Sequence, residues 1–504
     1  MKDGNQRKSG AVLSYFSIIA STLVQLLYTP LLIRMLGQSE YGLYSLVASV
    51  IGYLTVLDLG FGNAIVVYTA KYRACNEHEK EQKLQGMFKI IFYIIGVVIV
   101  IVGLSLYFNV QSMFGNTMST NEIKKTKIMM LILCFNLIVT FSFNIYSSII
   151  NAYERFVFQK IMSILNTILK PVLMIPLLFL GFKSVTMCLV ITGVNIFVVL
   201  SNYFYCKKKL KIKVGFRGFD KQLFCEIFSY SFFIFLGALV DKANWSIDQF
   251  ILGAVSGTIA VSIYSVASQL NTLFINLSTA ISGVLLPKMS KMVAQNATTD
   301  ALTEEMIKVG RIQYYIIYLM ATGLILIGKE FIEVWAGKGF EDAYYVALIL
   351  IIPLCIPLIQ NLGISIMQAM NRFRFKAIST SIMAIFNVII SYHLAKKYGA
   401  IGAAFGTAVA LVICNIIIMN IYYAKALKLN MNMFWRNIIK MTIIMLVPFG
   451  ALLLFKHVIY IGGLKGSFIY GALYSLLYSV VVYLLVMNKY EKKVVSSFIK
   501  KCVG

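Results

Sequence analysis

The sequence predicts an all-α integral membrane protein of about fourteen transmembrane helices, arranged as two six-helix lobes plus two C-terminal helices. Three observations carry that prediction. Apolar stretches long enough to cross a bilayer fill nearly the whole chain, with hydrophobic residues at 59% of 504 positions. Charged residues supply only 13%, against about 25% in soluble domains. The first six stretches are also echoed by the next six. Arg155-Phe156-Val157-Phe158 stands between stretches four and five, and Arg372-Phe373-Arg374-Phe375 between stretches ten and eleven. Ala152 and Ala369 precede these motifs, and Ile161 and Ile378 follow, in step. A second pairing sets Gly37, Tyr44, Ser45 and Lys71 against Gly257, Tyr264, Ser265 and Lys291.

Helices are required because loop-like or open-strand backbone cannot face lipid, and the alternating ten-residue segments of a strand barrel are absent. In order, the spans fall near 11–35, 42–69, 86–108, 127–150, 159–181 and 185–205. The second half runs near 226–254, 259–286, 312–328, 344–370, 377–395 and 400–423, and two unrepeated spans follow near 438–456 and 467–487. This divides the chain into an N-lobe (1–205), a basic linker (206–225), a C-lobe (226–424), and a final segment (425–504) holding two helices and a basic tail. The polar, basic first dozen residues lead into a span-length stretch without a small-residue cleavage site, so the first span reads as a retained helix. All seven prolines lie within spans or at their ends, where proline removes a hydrogen bond and bends the axis.

The net charge of +26 invites a nucleic-acid reading, but its placement opposes one. With the N-terminus inside, roughly 33 Lys and Arg fall in cytoplasmic segments and roughly 11 outside. Lys207, Lys208, Lys209, Lys211, Lys213, Arg217 and Lys221 crowd the linker between the halves. An even number of spans then puts both termini in the cytoplasm, in a multi-pass protein of the cytoplasmic membrane surrounded by its lipids. The eight cysteines are scattered with no metal-ligand or disulfide spacing. Asn296-Ala297-Thr298 is a glycosylation sequon by pattern only, since its loop is cytoplasmic.

The sharpest chemical signal lies in span seven. Asp241, Asn244, Trp245 and Asp248 share one helical face, with Lys242 beside it. An ionisable group at mid-bilayer costs about 2.5–3.5 kcal/mol, so this face should look into protein or water, as a cavity wall or as half of an ion pair. Span five repeats the spacing with Ser163, Asn166, Thr167 and Lys170, the last directly before Pro171. Lys170 would either hold a phosphate in a dehydrated cavity, where charge interactions are strong, or neutralise Asp58, the only acid within span two. Span one carries Ser14, Ser17, Ser21, Gln25 and Tyr28 and ends near Arg34, which is placed to snorkel outward. His393 reads as a packing residue, and Glu330, Glu333, Glu341 and Asp342 as a solvated outer loop. No Walker-type loop, His-Glu-x-x-His helix or nucleophile–base pair occurs. These absences argue against an enzyme, and no cofactor or metal is expected.

Leu36-Gly37-Gln38-Ser39-Glu40-Tyr41-Gly42-Leu43-Tyr44, Asp248-Gln249-Phe250-Ile251-Leu252-Gly253 with Ile263-Tyr264-Ser265, and the two Ala-x-x-Arg-Phe-x-Phe loops together carry a resemblance. The chain resembles the Wzx-type polysaccharide-biosynthesis flippases of the multidrug/oligosaccharidyl-lipid/polysaccharide (MOP, MATE-like) exporter superfamily. The resemblance implies a V-shaped pair of six-helix lobes around a cationic cavity, and alternating-access transfer of an undecaprenyl-pyrophosphate-linked oligosaccharide. The product would be O-antigen, capsule or another exopolysaccharide, and a polysaccharide polymerase and chain-length regulator would be partners. Lys170 and Lys242 would meet the pyrophosphate, with Arg34, Asn166, Asn244 and Trp245 lining the sugar path. Asp58, Asp241 and Asp248 would serve coupling or ion pairing. Gln249 stands where such proteins often carry arginine. The competing expectations are a cation-coupled multidrug antiporter and a lipid II flippase, whose arginine-rich first span is not matched by the single Arg34.

Overall fold

A computed structural model describes residues 3–212, 214, 218–282, 285–370, 372–459, 463–493 and 496. All regular structure among them is helical. The chain forms two compact units, Met1–Ser262 and Ile263–Gly504. Eleven helical stretches are long and apolar enough to cross a membrane, and Ala20–Leu36 and Ser246–Val255 are shorter apolar helices.

The first unit contains α1 (Asp3–Leu36), α2 (Gln38–Leu54), α3 (Phe61–Ala74), α4 (His78–Phe114), α5 (Thr120–Ala152), α6 (Phe156–Phe179), α7 (Ser184–Lys208), α8 (Lys221–Val255) and the start of α9 (Gly257–Ser282). Most helices extend beyond their apolar windows by a turn or more, because a polar turn outside the bilayer keeps its backbone bonds by staying helical. Helix α4 shows the two-sided pattern that lipid demands. Ile91, Ile95, Ile99 and Gly103 are buried, while Ile94, Val97, Ile101, Leu104 and Phe108 stand exposed. In water such a stripe would be an aggregation surface. Against lipid tails it costs nothing, and helices are instead joined by close packing and polar contacts. Gly103 supplies the first, since a Cβ there would sit 2.7 Å from the Cys134 sulfur. The Asn195 amide supplies the second, donating to Asn136 Oδ1 and Thr140 Oγ1, each at 2.6 Å.

Span two departs from the continuous helix expected over 42–69. It breaks at a 3₁₀ turn, Thr55–Asp58, followed by Leu59 and Gly60 in left-handed conformation. A break frees backbone groups that lipid cannot satisfy, and Asp58 answers it. Its carboxylate accepts from the Gly62 backbone N–H in the first turn of α3 and from Asn144 Nδ2 at 2.8 Å.

The second unit continues α9 and holds α10 (Leu286–Ala294), α11 (Thr299–Ala336), α12 (Glu341–Ile359), α13 (Asn361–Ala369), α14 (Phe373–Leu411), α15 (Met419–Lys425), α16 (Met431–Val458) and α17 (Gly463–Val481). Span ten breaks at Gln360, between α12 and α13, after Pro353 and Pro357. Ser278 donates to the freed Leu358 carbonyl at 2.7 Å, and Gln360, Asn420 and Trp435 close a hydrogen-bonded triad beside the break. The stretches expected as spans eleven and twelve form one long apolar helical run, Phe373–Lys425, with a kink at Gly399 (φ 57°, ψ −135°) and a π-helical segment at Val412–Ile418. His393 is exposed beside Tyr392 instead of packed in a core; it lies on the outward side of its helix.

The repeat reappears in backbone geometry. Gly37, just before α2, and Gly257, the first residue of α9, have φ of 82° and 83°, a region glycine enters without steric cost. Asn76 and Asn296 both turn left-handed, and so do Lys211 and Lys428. Asn296 and Thr298 of the sequon thus serve a turn and a helix cap, the Thr298 side chain accepting from Ala301 N. The second phenylalanine of each Arg-Phe-x-Phe motif stacks on a tyrosine farther along the chain. Phe158 lies 3.9 Å from Tyr205 at 17°, and Phe375 lies 3.9 Å from Tyr422 at 6°.

One glycine makes a testable point. A Cβ on Gly42 would overlap the backbone oxygen of Thr258, an atom no rotamer change can move, whereas one on Gly193 meets nothing within 4 Å. Gly42→Ala is expected to cut the yield of monodisperse protein severely, and Gly193→Ala to leave it unchanged. Size-exclusion chromatography in detergent reads both.

Candidate functional site

The polar face of span five is built as its spacing predicted. Helix α6 packs on α1, bringing Ser17 Oγ within 3.5 Å of Ser163 Oγ, while Thr167 bonds back to the Ser163 carbonyl at 3.0 Å. One turn on, Asn166 buries its Oδ1 with no hydrogen-bond partner in the structure. Lys170 is half-buried before the buried Pro171. No carboxylate of the described residues pairs with Lys170. Asp58 is engaged by Asn144 and Gly62, so the alternative of a Lys170–Asp58 ion pair is not what the structure shows. An amide oxygen and an ammonium group, neither paired among the described residues, thus share one helix face.

Helix α8 packs against α2 and α3 in the same unit. Lys242 crosses the backbone of α2 at Gly52, where an added Cβ would lie 3.0 Å from Lys242 Cε and 3.2 Å from its Nζ. Asp248 is fully buried and close enough to influence Tyr53 of α2 electrostatically. Asp241, Asn244 and Trp245 lie on the helical backbone of α8, but their side chains fall outside the described residues. Arg34 is exposed in the last turn of α1. The motif residues Arg155 and Arg372 sit at the N-caps of α6 and α14, and Arg372 Nη1 donates to the Ala426 carbonyl at 3.3 Å. Phe156 opens α6 half-buried, and Phe373 opens α14 exposed. The two motifs therefore start helices, and the second also ties α14 to the end of α15.

Three polar constellations escaped sequence reading. The Asn136–Thr140–Asn195 contact joins α5 and α7; Asn136 and Thr140, one turn apart, were its only sequence signal. Arg311 and Glu491 form a bidentate pair at 2.6 and 3.0 Å although 180 positions apart. Glu122 gathers hydroxyls from several helix starts. In addition, Glu330 of the acidic group read as a solvated loop is not simply solvated: its carboxylate accepts from Lys456 at 2.7 Å.

Lipid-compatible outer faces, broken spans with satisfied backbone and a few buried polar side chains define a multi-pass membrane protein of the transporter kind. A family model described as polysaccharide biosynthesis protein matches residues 8–293. The chain belongs to that family. A Shigella flexneri protein described as an O-antigen transporter is 20% identical over 423 residues, covering 82% of this chain and 96% of its own length. A Haloferax volcanii protein described as a flippase is 24% identical over 216 residues, 41% of this chain and 44% of its own. Among solved structures, the lipid II flippase MurJ in an inward closed conformation matches with a TM-score of 0.72 and 17% identity, covering 94% of this chain and 98% of its own. An inward-facing multidrug-resistance MATE transporter of the MOP superfamily matches with a TM-score of 0.58 and 15% identity, over 78% and 96%. The fold is that of the MOP-type transporters.

Proposed function

We propose that this protein moves a lipid-linked oligosaccharide across the cytoplasmic membrane by alternating access, supplying polysaccharide synthesis at the outer face. Family membership and the O-antigen transporter and flippase relatives support that class of cargo. The observation that carries the mechanism is Lys170, an ammonium group within an apolar helix that pairs with no carboxylate of the described residues, one turn from the Asn166 oxygen that likewise has no partner among them. A pyrophosphate accepts charge-assisted hydrogen bonds and a sugar hydroxyl donates to an amide oxygen. This face of α6 offers a partner to each. Lys242, Arg34, Asn244 and Trp245 extend the polar route. Asp241 and Asp248 serve coupling or ion pairing, and Asp58 steadies the break in span two. The protein acts as a carrier, not an enzyme, with a polysaccharide polymerase and chain-length regulator downstream.

We read fourteen crossings: the eleven long apolar helices, with Phe373–Lys425 crossing twice about Gly399, together with α1 and α8. The lobes run 1–205 and 226–424, the linker 206–225 and the tail lie inside, and so do both termini. The test is deletion of the gene in its native cell, followed by leaflet assignment of the lipid-linked oligosaccharide with an impermeant lectin or glycosidase. Accumulation at the cytoplasmic face with loss of surface glycan is expected. Unchanged glycan with increased drug sensitivity would instead favour a multidrug antiporter working through its acids.

A further inference from the structure

The outer ends of α2, α5 and α9 meet on one carboxylate. Glu122, in the first turn of α5, accepts on Oε1 from Ser39 Oγ at 2.6 Å and from Thr258 Oγ1 at 2.9 Å. Its Oε2 accepts from the backbone N–H and the hydroxyl of Ser119, both at 2.9 Å, which completes a capping box. Ser39 lies in the first turn of α2 and Thr258 in the first turn of α9, the two helices that share the repeated left-handed glycine turn. Beside them Thr117 donates to the Gly253 carbonyl at 2.7 Å, and Gly42 lets the backbones of α2 and α9 touch.

We infer that Glu122 is a releasable clasp: it holds the outer ends of α2 and α9 together when the outer side is closed, and the transport cycle opens it. The inference rests on the transport reading above and adds a residue apart from the polar face of α6. Its chemistry suits a reversible lock. Each strap is a single hydroxyl donor in a part-buried contact, Thr258 being buried in this state, and water replaces each on opening. The capping bonds from Ser119 stay within α5, so opening leaves the carboxylate satisfied and the helix capped. A repeat-related pair joined through a third helix separates without unfolding any of the three. Alternating access requires such a separation of repeat-related elements.

Two measurements test it. Thr258→Cys is labelled in intact cells with an impermeant maleimide, with Glu122 intact and with Glu122→Ala. The exposed native thiols Cys75 and Cys225 lie in segments assigned to the cytoplasm, away from the reagent. Losing bonds to a charged acceptor should speed labelling about tenfold or more. Separately, a short bifunctional thiol reagent joins Ser39→Cys to Thr258→Cys in an otherwise unchanged chain, and surface glycan should stop appearing. This arm keeps the inference falsifiable if Glu122→Ala does not fold. Unchanged labelling, or continued glycan export in cross-linked cells, overturns the clasp. Labelling that responds as expected in a cell whose glycan never depended on the protein sinks the oligosaccharide reading and leaves the clasp standing.

Discussion

Lys170→Ala is expected to abolish surface glycan while leaving the protein in the membrane at normal or higher abundance. The two halves of that outcome come from one physical fact. A cation at bilayer depth costs about 2.5–3.5 kcal/mol, and no carboxylate of the described residues offsets that cost for Lys170. Removing the charge therefore relieves the folded protein. A cation–phosphate hydrogen bond contributes about 1.5–3 kcal/mol, so its loss should lower transfer about tenfold to a hundredfold or more. Lys170→Met, which keeps the length and apolar stem, separates charge from packing and should fail equally. Lys170→Arg keeps the charge but changes its geometry, and partial activity is expected. Immunoblotting of membranes, melting in detergent and lectin staining of intact cells read the three quantities. Normal glycan in Lys170→Ala would remove this side chain from the mechanism. Lost glycan together with a lowered melting temperature would make it a structural residue.

What the sequence showed and what it hid follow from the range of each interaction. Helical type and eleven long apolar helices were legible because lipid imposes length and composition locally. Both ends of the repeat were legible as Gly37 with Gly257 and as the Arg-Phe-x-Phe pairs, and the structure gives the glycines matching φ and each motif a Phe–Tyr stack. The break at Asp58 was hidden inside an unbroken apolar run. Its cause, an anion serving the start of α3, depends on Asn144 from another helix. Helical periodicity placed Ser163, Asn166, Thr167 and Lys170 on one face correctly, yet periodicity identifies faces and not partners. It therefore left Lys170 free to pair with Asp58, which the structure pairs elsewhere. Glu330 read as solvated because its partner Lys456 lies far along the chain. Glu122 passed unnoticed because its local pattern, Ser-x-x-Glu, is an ordinary capping box. Its contacts with Ser39 and Thr258 arise only on folding.

Arg311→Ala is expected to be the most destabilising change in the second unit. Glu491 follows the last span, and its side chain is only 3% exposed. Arg311 meets it with two bonds, at 2.6 and 3.0 Å, while Tyr315 donates at 2.8 Å and the Asn488 backbone N–H at 2.8 Å. Burial alone would push the Glu491 carboxyl up. The bonds from Arg311, Asn488 and Tyr315 outweigh it and hold the carboxyl below the usual carboxylate range. Truncating the arginine strands a buried anion, a loss of about 3–5 kcal/mol. Arg311→Met with Glu491→Met removes both charges and should recover most of that loss, since a buried ion pair is often no better than an apolar pair of similar size. The pH dependence has a definite sign. A carboxyl depressed in the folded state contributes stability that is fully present above its unfolded value of about 4.3. That contribution is lost as pH falls through the lower folded value. The stability gap between wild type and double mutant should therefore stay flat from neutrality down to about pH 4.3 and move against wild type below it. Thermal unfolding in detergent across that range measures the gap. An Arg311→Ala protein as stable as wild type would mean that water reaches Glu491, and that the pair does not fasten the end of the last span to α11.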